Sequence, residues 1–105
     1  MITFCDFLKK LLREDPKFAK MWNDDELRRE VVSLLLRQRN LLKMTQSDLA
    51  KKAKTSQSAI AKLENGNSNP SLAFISKIAD ALNVKIKVSV EHNIKFSLEN
   101  EENRK

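Results

Sequence analysis

The stretch that decides the fold is TQSDLAKKAKTSQSAIAKLENG, which runs from Thr45 to Gly66. Thr45 is a good helix N-cap, and Asp48, three residues later, places a carboxylate near the amides of the first turn, as in a capping box. Thr55 or Ser56 can cap a second helix after a short break. The spacing therefore predicts two short helices joined by a tight turn.

The apolar positions indicate how these two helices pack. Leu49, Ala50 and Ala53 share one face of the first helix, and Ile60 and Leu63 recur three residues apart on the second. Because Ala50 is small, the second helix can cross close to the first, as in a helix-turn-helix. The outer side of the second helix then carries small or hydrogen-bonding residues, as the readout of DNA bases requires: Ser56, Gln57, Ser58, Ala61 and Lys62.

The net charge of +6 is concentrated on this part of the chain. Residues 31–66 carry seven basic and two acidic side chains, whereas residues 1–30 carry seven of each. A local basic excess is typical of polyanion binding, although a charge run alone is as often a solvated helix face. Together with the motif, it favours double-stranded DNA as the partner.

The segment TQSDLAKKAKTSQSAIAKLENGNSNPSL resembles the DNA-binding core of the XRE family, the Cro and repressor type of helix-turn-helix, over about residues 34–82. The resemblance implies a lambda-repressor-like fold and binding to a DNA operator. It also implies that Gln46 contacts a phosphate and braces the second helix, that Arg39 forms a buried ion pair with Glu64, and that the turn at Asn65 and Gly66 offers backbone amides to phosphate. The expected DNA-binding residues are Thr45, Gln46, Lys54, Ser56, Gln57, Ser58, Lys62, Asn65 and Asn67.

The chain departs from the family at two turn positions. Where the family often carries Gly, this chain has Lys43 before the first helix and Lys54 between the two helices. A left-handed residue other than Gly costs roughly 1 kcal/mol, which a folded domain tolerates. The added charge of Lys54 suits a nearby phosphate.

Helical patterns also precede and follow the motif. Asp15 and Pro16 are a cap and first-turn pair that separates a first helix from a short second one. Asn23 or Asp24 is expected to start the long third helix, and Ser71 is expected to cap the last one. The predicted fold class is mainly α, a bundle of about six helices with a short C-terminal strand or hairpin.

The C-terminal region changes to a period of two, which is typical of strands. Apolar residues alternate with polar ones from Val84 to Val90 and again from Ile94 to Leu98. Because a lone strand leaves its backbone groups unpaired, either the two segments form a hairpin or the strand pairs with its mate in a second copy. We divide the chain into an N-terminal helical segment (1–22), a DNA-binding core (23–83), a strand region for dimerisation (84–98) and a flexible tail (99–105).

The composition disfavours catalysis and metal binding. The chain has one His, His92, one Cys, Cys5, and one Gly, so no catalytic triad, zinc cluster, disulfide or Gly-rich phosphate loop is recognisable in it. We expect no enzymatic activity, no cofactor and no metal ion. The apolar clusters are too short to span a membrane and no signal-peptide pattern is present, so we expect a cytoplasmic protein.

The layout of the whole chain resembles the HigA-type antitoxins, whose partners are RelE/HigB-like ribonuclease toxins. A helical segment with the step DPKF precedes the core, and LNVKIKVSV follows it. This resemblance implies a homodimer that neutralises a toxin by direct binding and represses its own operon. A stand-alone repressor without a toxin partner is the alternative.

An apolar stripe with several aromatic residues in the first 22 residues is the candidate toxin-binding surface, because aromatic side chains often anchor protein interfaces. The alternative is that this stripe only caps the bundle. A membrane-surface helix is disfavoured by the mixed charge of residues 1–30. The candidate toxin-binding residues are Phe4, Phe7, Leu8, Leu11, Phe18 and Trp22.

Overall fold

The computed structural model describes residues 4–66, 68–89 and 95–100, with side chains of the first helix from Asp6 onward. Within these residues six helices are followed by one antiparallel hairpin, which confirms the predicted fold class. The elements are α1 (Phe4–Glu14), α2 (Pro16–Asn23), α3 (Glu26–Leu41), α4 (Gln46–Lys52), α5 (Gln57–Glu64), α6 (Leu72–Ala81), β1 (Val84–Ser89) and β2 (Lys95–Asn100).

The first two helices meet at a single capping residue. One carboxylate oxygen of Asp15 accepts hydrogen bonds from the backbone N–H groups of Lys17 and Phe18, both at 3.1 Å. Pro16 occupies the first turn of α2, where its missing N–H costs nothing. The chain therefore changes direction between α1 and α2 without a loop, as the sequence predicts.

The start of α3 differs from the prediction. The helix begins at Glu26, after Asp25 has taken a left-handed conformation with φ of 71°, and not at Asn23 or Asp24. The side chain of Asp25 makes no capping bond. It forms an ion pair with Arg28 instead, because the buried guanidinium is a stronger partner for a carboxylate than a backbone amide is.

One hydrophobic core joins every helix to the hairpin. In α4 and α5 it includes Leu49, Ile60 and Leu63, and in α6 it includes Ile75 and Ile78. No helix among the described residues is long and apolar enough to cross a membrane.

Much of the N-terminal apolar stripe belongs to this same core. Leu8 and Phe18 are fully buried and Trp22 is 5% exposed. The ring of Trp22 stacks on Phe18 with centroids 6.2 Å apart and meets the edge of Phe96 at 6.4 Å. Among the other candidate toxin-binding residues, Phe7 and Leu11 are half-buried, and the side chain of Phe4 lies outside the described part of the chain.

The C-terminal strands pair with each other within the chain. β1 and β2 are antiparallel, with a register that runs from Val84 opposite Asn100 to Ser89 opposite Lys95. The inner face of the hairpin buries Val84, Ile86 and Phe96 against the helices. Of the two arrangements left open by the sequence, the structure has the hairpin; the connection at residues 90–94 lies outside the described residues.

β2 runs to Asn100, two residues beyond its predicted end at Leu98. Glu99 lies opposite Lys85, and its carboxylate is 3.8 Å from the Nζ of Lys87. The amide of Gln38 on α3 donates to the side-chain oxygen of Asn100 at 3.3 Å. These polar contacts accompany the last two residues of the strand, whereas the apolar alternation that predicts it ends at Leu98. The remainder of the predicted tail, 101–105, is outside the described residues.

We predict that Phe18→Ala destabilises the whole domain. The side chain is fully buried, so its removal leaves a cavity and should lower the free energy of unfolding by about 3 to 5 kcal/mol. Urea denaturation followed by the fluorescence of Trp22 would measure the change. Exposed Lys17 provides the control, since Lys17→Ala should alter the stability by less than about 0.5 kcal/mol. Similar small effects of both variants would mean that α2 is not part of the core.

Candidate nucleic-acid interface

The start of α4 is fixed by a reciprocal cap. The Oγ1 of Thr45 accepts from the backbone N–H of Asp48 at 3.0 Å, and the Oδ2 of Asp48 accepts from the backbone N–H of Thr45 at 2.9 Å. Two hydrogen bonds with Thr45 hold the pKa of the Asp48 carboxyl below its ordinary value, and the one from the Thr45 backbone has the larger effect. The charged carboxylate stabilises the helix N-terminus.

The turn between α4 and α5 is built around a left-handed lysine. α4 ends at Lys52, Lys54 has a φ of 58°, and the N–H of Thr55 donates to the carbonyl of Ala50 at 2.9 Å. Ser56 then caps α5 by accepting from the N–H of Ala59 at 3.1 Å. Four residues therefore separate the two helices.

The two helices bury their small and apolar faces against each other. Leu49, Ala50 and Ala53 of the first half are at most 4% exposed, and so are Ile60 and Leu63 of α5. The opposite side of α5 and its cap is open to solvent. Exposed there are Ser56, Gln57, Ser58 and Lys62, the residues expected to face DNA bases.

An ion pair joins the end of α5 to α3. The Nε and Nη2 of Arg39 donate to the two carboxylate oxygens of Glu64, at 2.7 and 2.9 Å. The Nη1 of Arg39 donates to the backbone carbonyl of Met44 at 2.6 Å. The side chains of Arg39 and Glu64 are 12% and 9% exposed, so this bidentate pair is largely removed from solvent.

Gln46 connects α4 to the same carboxylate. Its Nε2 donates to the Oε1 of Glu64 at 3.0 Å, which ties the first residue of α4 to the last residue of α5. The amide nitrogen carries a second hydrogen, and the side chain is half-buried. Gln46 is therefore placed to brace α5 while its remaining N–H is available to an acceptor.

The other expected DNA-binding residues lie around this unit. Thr45, Lys54 and Asn65 are exposed, and Asn67 lies outside the described residues. Gly66 follows α5 with a φ of 80°, a conformation that side-chain-bearing residues rarely adopt. Among the described residues, no group of three or more His, Cys, Asp or Glu side chains is arranged to hold a metal ion.

Sequence reasoning missed the part that Met44 plays at this site. Its backbone carbonyl is the third acceptor of the Arg39 guanidinium, and it comes directly after Lys43, whose φ is 57°. A backbone acceptor has no residue signature. The left-handed position before α4 was the available signal, because such a residue redirects the carbonyl that follows it.

Comparisons with known proteins agree with this geometry. A helix-turn-helix family model matches residues 35–88, about half of the chain, from the C-terminal part of α3 to β1. Vegetative-specific protein H7 of Dictyostelium discoideum is 44% identical over 62 residues, which are 59% of this chain and 60% of that protein. The match thus spans less than two thirds of the length of this relative. No solved structure matches the chain significantly.

We predict that Glu64→Ala disrupts the interface by destabilising it. The substitution removes the acceptor of Arg39 and Gln46 and leaves a guanidinium unpaired in a mostly buried position. Breaking such a pair should lower the free energy of unfolding by about 3 to 5 kcal/mol. Urea denaturation followed by circular dichroism would measure the loss.

Two further variants test the reason for this loss. The double variant Arg39→Met with Glu64→Leu removes both charges together and should recover part of the stability, because no unpaired charge remains. Asp80→Ala removes an exposed acid from α6 and should change the stability by less than about 0.5 kcal/mol. A loss for Glu64→Ala as small as that of this control would contradict the argument.

Proposed function

We propose that this chain recognises its operator by placing α5 in the major groove. The chain belongs to the XRE/Cro type of helix-turn-helix DNA-binding proteins and is a transcription regulator. Gln57, Ser58 and Lys62 would contact base edges in this groove. The single observation that carries the proposal is the exposed polar side of α5, held in one orientation by the Arg39 and Glu64 pair.

The chemistry of the exposed side chains supports base recognition. An amide such as that of Gln57 can donate and accept at the same time, which matches the paired acceptor and donor of adenine in the major groove. Ser58 carries a hydroxyl that suits either a donor or an acceptor, and Lys62 adds a cation for guanine or phosphate. Ser56 already accepts the capping N–H of Ala59, so its hydroxyl retains its donor and one lone pair for DNA.

The residues around α5 are suited to hold the DNA backbone. Thr45 and Gln46 lie at the N-terminus of α4, a position at which amides and the helix dipole favour anions. Lys54 adds a positive charge at the turn between the helices, and Asn65 follows α5. We assign phosphate contacts to these four residues and, by its place in the sequence, to Asn67.

A homodimer is part of the proposal. One α5 covers one half-site, and regulators of this type gain affinity by holding two half-sites about one helical turn of DNA apart. The strand edge is an unfavourable place for this contact, because Lys85 and Lys87 are exposed on β1 and lysines on a strand oppose pairing with an identical one. The two half-sites of a double-stranded operator can instead hold two copies side by side.

The antitoxin role is a second candidate, alongside a stand-alone repressor. The observation that favours a protein partner is that Phe7 and Leu11 remain partly accessible on α1. Leu8, Phe18 and Trp22 are buried in the monomer, so contact with a RelE/HigB-like toxin would rely on the accessible part of the stripe.

If the chain is an antitoxin, it should co-purify with the product of a neighbouring reading frame, and that product should arrest growth when it is expressed alone. The double variant Phe7→Ala with Leu11→Ala should then weaken rescue from the arrest while operator binding is retained. Lys9→Ala and Lys10→Ala, on the exposed side of α1, are the controls. Absence of a toxic, co-purifying neighbour would leave the stand-alone repressor as the function.

We predict that Gln57→Ala lowers the affinity for a duplex that the wild-type chain selects from a random library. The loss of a base contact should cost about 1 to 3 kcal/mol on this duplex and much less on a shuffled one. Fluorescence anisotropy with both duplexes measures the two affinities, and the mass of the complex gives the number of bound copies.

Lys54→Ala is the matched control for this experiment. Because a phosphate contact carries no base information, Lys54→Ala should weaken binding to both duplexes by the same factor. Equal losses on both duplexes for Gln57→Ala would rule out base readout by this residue.

A further inference from the structure

A cleft of about 220 Å³ lies between the N-terminal half of α3 and the segment that follows α5. The α3 wall contributes Arg28 and Arg29, and the facing wall contributes Asn65, Gly66 and Ser68. Apolar side chains of α3 and α5 form the floor. Nothing in the helix-turn-helix motif itself predicts this cleft, because its walls are about 35 residues apart in the sequence.

The two arginines of the cleft are in different electrostatic situations. Arg28 is buried, forms an ion pair with Asp25, and places its guanidinium carbon 5.8 Å from the ring centroid of Trp22. Burial lowers the pKa of Arg28, but an arginine remains protonated in a protein. Arg29 is exposed, and its Nε donates to the backbone carbonyl of Asp25 at 3.4 Å.

The acids that line the cleft are already committed to other partners. Glu64 accepts from Arg39 through both oxygens, and also from Gln46. Asp25 is paired with Arg28. Among the described residues no ion pair joins Arg29 to a carboxylate, so the charge of Arg29 is the uncompensated charge of the cleft.

One wall of the cleft is the turn after α5, whose backbone amides are the expected phosphate donors. Asn65 and Gly66 line it, and the space next to Gly66 holds no atom within 4 Å of the point where a Cβ would lie. A phosphate bound by the amides of this turn would therefore lie next to a wall of the cleft. A phosphate is a good partner for an arginine, since the guanidinium can donate two parallel hydrogen bonds to its oxygens.

We propose that Arg29 binds a backbone phosphate of the operator at this cleft, so that the DNA interface extends from α4 and α5 onto the N-terminal half of α3. This inference rests on the proposed function, because it adds a contact to the same DNA molecule. Arg28 is a positioning residue in this arrangement. Arg28 pairs with the carboxylate of Asp25, and Arg29 donates to the backbone carbonyl of the same residue. The pair therefore holds the turn that positions Arg29.

The test is the salt dependence of DNA binding by three variants of the full chain. The probes are a duplex selected from a random library by the wild-type chain and a shuffled duplex of equal length. For Arg29→Ala, the plot of log affinity against log salt concentration should become shallower by about 0.9, the value for one lost phosphate contact, on both duplexes alike. Arg29→Lys keeps the charge and should restore most of the slope. Arg13→Ala, which removes an exposed arginine of α1 that does not line the cleft, should leave the slope unchanged.

Several outcomes would overturn this inference. An unchanged slope for Arg29→Ala, with normal binding by the wild type, refutes the Arg29 contact and leaves the proposed function standing. Inorganic phosphate titrated without DNA tests the other source of the same anion. If the slope is unchanged and millimolar phosphate changes the fluorescence of Trp22 in the wild type but not in Arg29→Ala, the cleft binds a free anion and the proposal is wrong. Failure of the wild type to select any duplex would refute the proposed function itself.

Discussion

The orientation of α5 depends on one carboxylate. Glu64 accepts three hydrogen bonds, from Arg39 on α3 and Gln46 on α4, and it lies at the end of α5. Apolar contacts alone fix such an angle poorly where the side chains are small, as Ala50 and Ala53 are in α4. A bidentate arginine and carboxylate pair is directional, so it defines the relative position of three helices at once.

The two turns that flank α4 each place a lysine in a left-handed backbone conformation. Lys43 and Lys54 both have φ values near 60°, at 57° and 58°, where glycine would relieve a cost of roughly 1 kcal/mol each. Each lysine instead brings a positive charge to the turn before or after α4. The energy lost in backbone strain is offset elsewhere in the core, and the gain is a local field that attracts a polyanion.

The sequence predicts the features that depend on local chemistry. Asp15, Thr45 and Ser71 cap helices where the pattern places them, because a cap involves residues only two or three positions apart. The partners of Asp25 and the walls of the cleft were not predictable in this way. They depend on burial and on contacts between distant segments, which periodicity does not report. Arg39 and Glu64 are 25 positions apart, so local chemistry does not predict their ion pair. Only the family resemblance predicts it.

The N-terminal segment is continuous with the DNA-binding core in physical terms. Phe18 and Trp22 pack in the same core as the hairpin residue Phe96, and Trp22 lies next to Arg28 at the start of α3. α3 in turn carries Arg39, which orients α5. The packing of α1 and α2 and the ion pair that orients α5 therefore meet on α3. α3 is continuous from Glu26 to Leu41, so its first turn, which contacts the N-terminal segment, and Arg39, which orients α5, belong to one helix.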